Sequence, residues 1–75
     1  MNKERRKMIS VIISNIQDIK ERLDDILLDE QDYYDNIPDN LLSSERAEIS
    51  EDAIDTLEEA VDSIEDIIDN LSEVI

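Results

Sequence analysis

The sequence contains no cysteine, no histidine and no glycine, and its single proline is Pro38. Without cysteine and histidine there can be no disulfide, no zinc site built on those ligands, and no Ser-His or Cys-His catalytic arrangement. Without glycine there can be no glycine-rich loop of the kind that binds phosphates. We therefore predict a protein that is not an enzyme and that holds no metal or other cofactor.

Aromatic residues and long apolar runs are also scarce. Tyr33 and Tyr34 are the only aromatic residues, and no apolar run approaches the roughly 20 residues that a membrane-spanning helix requires. The first residues, MNKERRKMISVIIS, combine a basic start with apolar positions, but polar residues return every three or four positions. We interpret this stretch as the start of a helix, not a secretory signal. We expect a cytoplasmic protein.

The 75 residues carry 22 acids and seven cations, a formal net charge of −15. From Ala47 onward there are eleven acids and no cation. Four of the seven cations stand close together near the N-terminus, at Lys3, Arg5, Arg6 and Lys7. Such a surface repels nucleic acid and anionic membranes over most of its area, so we predict a basic protein as the partner.

Apolar residues recur at alternating intervals of three and four, which is the spacing of heptad positions a and d on an α-helix. In the first half, starting at position a, they are Ile9, Ile12, Ile16, Ile19, Leu23 and Ile26. In the second half, again starting at position a, they are Ile54, Leu57, Val61, Ile64, Ile68, Leu71 and Ile75. The pattern predicts one all-α domain spanning residues 1–75, an antiparallel hairpin of two helices at about 3–35 and 44–74.

The segment between the helices has the residues of a turn. Pro38 disfavours a helical conformation at Ile37, which predicts that the first helix ends before it. Ser43 or Ser44 is a suitable N-cap for the second helix, and Ser50 offers a second possible start.

Each helix carries a third apolar column beside positions a and d. It is position e in the first helix and position g in the second. A two-stranded coil needs only two of every seven positions to be apolar. We therefore expect the hairpin to pair with a second copy in a four-helix bundle, or a higher oligomer, unless a different protein completes it. The predicted oligomer core is Ile13, Leu27, Ala53, Ala60, Ile67 and Val74.

The acids of the second helix fall at heptad positions b, e and f, opposite its apolar stripe. They run from Glu48 to Glu73 over roughly 38 Å. One interpretation is a negatively charged face that mimics nucleic acid and binds a protein that normally grips phosphates. The other is a solvated face that keeps a small apolar protein soluble. The residues predicted to bind the partner are Glu51, Asp52, Asp55, Glu58, Glu59, Asp62, Glu65, Asp66 and Asp69.

In an antiparallel hairpin the basic N-terminal residues lie beside the end of the second helix, near Asp66, Asp69 and Glu73. We expect them to neutralise part of the acidic helix, within one chain or between chains. The alternative is a small nucleic-acid contact.

The inter-helix segment is a second candidate site. Tyr33, Tyr34, Asn36, Asn40 and Arg46 together offer rings, amides and one cation. As an alternative function, we consider a small-ligand sponge that captures a signalling nucleotide with these residues. The structural interpretation is that Arg46 pairs with Glu30, Asp32 or Asp35 and holds the turn closed. A structural or assembly subunit is the third alternative.

The segment DNIPDNLLSSER, preceded by the acidic DEQDYY, resembles a group of small acidic proteins. They are encoded by phages, prophages and mobile elements of Gram-positive bacteria. The resemblance extends to the basic start, the apolar heptads and the acidic second helix. It implies a non-enzymatic protein that acts by binding in the cytoplasm of a bacterial host. Combined with the acidic helix, it leads us to expect an inhibitor or modulator of a basic nucleic-acid-handling or defence protein.

Overall fold

The computed structural model describes residues 1–75 and contains two long helices and no strand. Helix α1 spans Lys3–Asp35, a short 3₁₀ turn spans Asp39–Leu41, and helix α2 spans Glu45–Ser72. The two helices lie side by side and antiparallel, in a molecule 59 Å long and only 15 by 12 Å across. The predicted all-α hairpin is confirmed, with both helices ending within two residues of their predicted limits. Neither helix combines the length and the apolar character that crossing a membrane requires.

Side-chain caps fix where the helices begin and end. Asn2 accepts a hydrogen bond from the Arg5 backbone N–H at 2.8 Å, and Ser44 accepts one from the Ala47 N–H at 3.3 Å. Each bond satisfies a backbone donor that has no partner within the helix. At the end of α1, the Asn36 side chain donates to a carbonyl of the last turn at 2.7 Å. Of the three predicted starts for α2, Ser44 is therefore the one that the chain uses.

The turn closes without any residue in the left-handed region, because no residue has a positive φ and no peptide bond is cis. This explains how a chain without glycine makes the reversal. Two buried residues flank the turn. They are Ile37, just before Pro38, and Ala47, in the first turn of α2.

Helix α2 contacts α1 through its columns a and d, as predicted. Val61 is buried and the other apolar residues of these columns from Ile54 to Leu71 are half-buried. Helix α1, by contrast, uses columns a and e. Ile13 is only 7% exposed and Leu27 is half-buried, whereas the column d residues are exposed. The structure therefore places Ile13 and Leu27 in the contact between the two helices of one hairpin.

Two polar contacts lie between the helices, one near the turn and one farther along the hairpin. Near the turn, the buried Ser50 hydroxyl donates to Glu30 Oε2 at 2.9 Å. Farther along, Lys20 Nζ lies 3.1 Å from Glu65. No buried side-chain nitrogen or oxygen lacks a hydrogen-bond partner. These specific pairings select one alignment of the helices, which apolar contacts alone select weakly.

Replacing Ser50 with alanine tests the contribution of its hydrogen bond to Glu30. The half-buried Glu30 carboxylate would lose its donor, so we expect Ser50→Ala to lower the free energy of unfolding by about 1–2 kcal/mol. Urea denaturation at one fixed protein concentration measures the change. The double variant Ser50→Ala with Glu30→Leu should recover that loss, because it removes the desolvated carboxylate as well. Ser63→Ala, at an exposed position of the same helix, is the matched control, and an equal loss there would contradict the interpretation.

Candidate binding surfaces

The hairpin has two unlike sides, and the side near Arg46 is apolar. A groove of about 480 Å³ on this side is lined by residues of both helices, namely Ile26, Asp29, Glu30 and Tyr33 of α1 and Arg46, Ile49 and Ser50 of α2. Column d of α1 and column g of α2, which contains Arg46, therefore lie on the same side. We call this side the apolar face. Besides Arg46, its two columns comprise Ile12, Ile19, Ile26, Tyr33, Ala53, Ala60, Ile67 and Val74.

The apolar face is open to solvent. Ile12 is 47% exposed, Ile26 53% and Ile67 47%. The neighbouring column c of α2 carries no charge along its length, since it consists of Ile49, Thr56, Ser63 and Asn70. An apolar surface of this extent, with an uncharged edge, is typical of an interaction site.

The opposite side of the hairpin is polar. Gln31 Nε2 donates to Glu58 at 3.3 Å, and Lys20 contacts both Glu65 and Asp24, the latter at 3.6 Å. Through these contacts, polar side chains at the edges of both helices find partners within the same chain. This side has no apolar surface comparable to that of the apolar face.

Beyond the polar side lies the acidic face, formed by the eleven carboxylates from Glu48 in α2 to Glu73, its C-cap residue. All eleven side chains are exposed. Only Glu58 and Glu65 have a hydrogen-bond or ion-pair partner. The other carboxylates, including the central Asp55, Glu59 and Asp62, face solvent with no cation beside them. The predicted partner-binding residues thus form one continuous, almost entirely unpaired negative surface.

The expected ion pairs of the basic N-terminal residues with Asp66, Asp69 and Glu73 are absent, since both ion pairs of the chain involve Lys20. The reason is the alignment of the helices. Lys20 is level with Glu65, and extending this antiparallel pairing by the helical rise puts Ser72, the last residue of α2, near the level of Ile13. The first turns of α1 thus project past the end of α2. We call this segment, Lys3–Lys7, the basic arm.

The five residues of the inter-helix candidate site do not converge. Arg46 lies over the ring of Tyr33, 5.5 Å from its centroid, and makes none of the ion pairs expected for it. Tyr34 lines a separate groove beside Glu51 and Ile54, on the polar side. Asn36 caps α1, and Asn40 is exposed in the 3₁₀ turn. The groove at Tyr33 also contains Asp29 and Glu30, which oppose an anionic ligand.

The geometry also bears on metal binding. No group of three or more acidic side chains is arranged closely enough to hold a metal ion. In the oxygen-rich turn, Asn36 and Ser44 make capping hydrogen bonds, and the carboxylates of α2 are spread along the helix.

Comparison with known protein families, curated proteins and solved structures gives no match. The surfaces described above are therefore the basis for any functional conclusion.

The hydrogen bond from Lys20 to Glu65 raises the pKa of the Lys20 ammonium, with the charges of Asp24 and Glu65 adding to it and partial burial opposing it. Since the folded-state pKa is the higher one, the contribution of this ion pair to stability is complete below the pKa of a free lysine. It is lost as the pH rises through the folded-state pKa. We expect an NMR titration of the Lys20 side chain to show a lower pKa in Glu65→Gln. An unchanged titration in that variant would contradict the assigned cause.

Repulsion within the acidic face should make stability depend on salt. Raising NaCl from about 0.01 M to about 0.15 M shortens the screening length from about 30 Å to about 8 Å. We expect the melting temperature at pH 7 to rise over this range. The isosteric variant with Asp55→Asn, Glu59→Gln, Asp62→Asn and Asp66→Asn should show a smaller rise. A melting temperature that falls with added salt would show that attraction between charges dominates instead.

Proposed function

We propose that this protein is a non-enzymatic binding protein that occupies a basic, nucleic-acid-handling protein through the acidic face. The observation that carries the proposal is the unpaired state of nearly all of its carboxylates. A helix face that serves only solubility commonly mixes charges, because Glu–Lys pairs four residues apart support the helix. Here the repulsion is retained along the whole of α2, which favours a role for the charge itself.

The spacing of the charge fits a surface that normally binds a phosphate backbone. The carboxylates from Glu48 to Glu73 occur about once per 4 Å of helix. One strand of DNA carries one phosphate per 3.4 Å. A groove lined by lysine and arginine would therefore meet a similar line charge on α2. Electrostatic attraction of this kind makes association fast and strongly dependent on salt.

The resemblance of the turn segment to proteins of phages and mobile elements supplies the setting for this proposal. In that setting the target is a bacterial host protein in the cytoplasm, and the outcome of binding is inhibition or modulation of nucleic-acid handling or defence. Neither step requires catalysis or a cofactor.

Affinity capture from a lysate of a Gram-positive bacterium tests the proposal. The tagged protein should retain a basic nucleic-acid-binding protein at low salt and release it at high salt. Added duplex DNA should compete for the same protein, because both ligands would occupy its phosphate-binding groove. The variant with Asp55, Glu59, Asp62 and Asp66 all changed to lysine should retain none of it, with helicity by circular dichroism showing that the fold survives.

A matched control separates the acidic face from net charge. Changing Asp18, Glu21, Asp25 and Asp32 of α1 to lysine alters the total charge equally, at exposed positions of the other helix. This control should still capture the partner. If both variants lose it equally, net charge and not the face is responsible. If binding survives the change in α2, the proposal is wrong.

The nucleotide-sponge alternative has weaker structural support. Its one favourable observation is the contact between Arg46 and the ring of Tyr33. A rise in melting temperature with a panel of signalling nucleotides, abolished by Arg46→Ala, would favour it over the proposed function. A purely structural role would use the apolar face and would tolerate the lysine changes in α2.

A further inference from the structure

We infer that the apolar face is covered by a second copy of this chain in an antiparallel four-helix bundle, with the two turns at opposite ends. In this arrangement the basic arm of each copy lies beside the acidic turn of the other. The inference is independent of the proposed function, because it uses the apolar face and the ends of the hairpin, and not the acidic face.

The first support is how little a single hairpin buries. Only five of the 75 residues are buried, and no large side chain is fully buried. A small chain without cysteine commonly gains its core by association with another chain.

The second support is the size of the apolar face. From Ile12 to Tyr33 it extends about 32 Å along α1. Across two helices of about 10 Å each it covers on the order of 600 Å² in projection. The true surface area is larger than the projection and approaches the roughly 800 Å² per partner of a stable protein interface. A second hairpin presents a face of the same length and width, so two copies cover each other completely.

The charges at the two ends of the hairpin select the orientation. The turn end is acidic, with Asp32, Asp35, Asp39 and Glu45 exposed. The other end carries the basic arm, whose four cations have no ion-pair partner in their own chain. A parallel arrangement would place two acidic turns side by side. An antiparallel arrangement places each basic arm against an acidic turn.

The alignment of the helices makes this contact geometrically consistent. The apolar face is centred near the level of residue 22, so a two-fold axis there brings Arg5 level with the partner's turn. The same axis crosses α2 between Ala60 and Ile67, the two residues of its column g on either side of that level. The projection of α1 past α2 is therefore the feature that carries the basic arm to the other copy.

Analytical ultracentrifugation tests whether the dimer exists. The wild-type protein should sediment at twice the chain mass of 8.7 kDa. Ile26→Glu, on the apolar face, should weaken association at least about tenfold. The matched control is Leu28→Glu, since Leu28 is 58% exposed but points away from this face. A wild-type monomer, or equal weakening by both variants, would overturn the inference.

Pulsed electron paramagnetic resonance tests the orientation. The chain has no cysteine, so Asp39→Cys introduces one attachment site for a spin label in the turn of each copy. Antiparallel packing predicts a distance of about 50 Å between the labels, from the helical rise over the separation of the two turns. A dimer with both turns at one end would give a distance well below that and would overturn the orientation while leaving the dimer intact.

The contact between the basic arm and the turn has its own test. Changing Lys3, Arg5, Arg6 and Lys7 to glutamate should weaken the dimer on the order of tenfold at low salt, and much less at high salt. Adding Asp32→Lys, Asp35→Lys, Asp39→Lys and Glu45→Lys should restore it. Weakening without rescue would contradict the contact.

Discussion

The structure depends on one geometric constraint: two helices in contact can cover only two of the three apolar columns that each carries. In α1 the contact uses columns a and e, and in α2 it uses columns a and d. The uncovered columns lie on the same side of the hairpin, which leaves one apolar and one polar side. The acidic face lies beyond the polar side. Any partner for the apolar face therefore approaches without meeting the acidic face.

The sequence was sufficient to predict the helices and the hairpin, because the heptad spacing is unbroken and the single proline lies between the two patterns. It was not sufficient to predict which columns of α1 meet α2. Column d and column e both contain large aliphatic residues, so hydrophobicity does not discriminate between Ile12 and Ile13. Polar pairs such as Ser50–Glu30 and Lys20–Glu65 favour one alignment of the helices. The heptad spacing does not indicate which of these residues will pair.

The candidate surfaces were predictable to different degrees. The exposure of the carboxylates follows from the helical period alone, so α2 could be identified as acidic without a structure. The position of the basic arm could not, because it depends on how far α1 projects past α2. Arg46 was also misjudged: several carboxylates are near it in sequence, yet it lies over Tyr33. That preference is understandable, since a guanidinium group is attracted to the face of a ring.

The two tyrosines, adjacent in sequence, lie on different sides of the hairpin. Tyr33 is on the apolar face under Arg46, and Tyr34 is on the polar side near Glu51. Because the chain contains no tryptophan, these two phenols are its only intrinsic fluorophores of practical use. Each Tyr→Phe variant therefore leaves a single emitter on a known side. The molecule thus carries a native optical reporter for each side, which needs no attached dye and changes the surface by one oxygen atom.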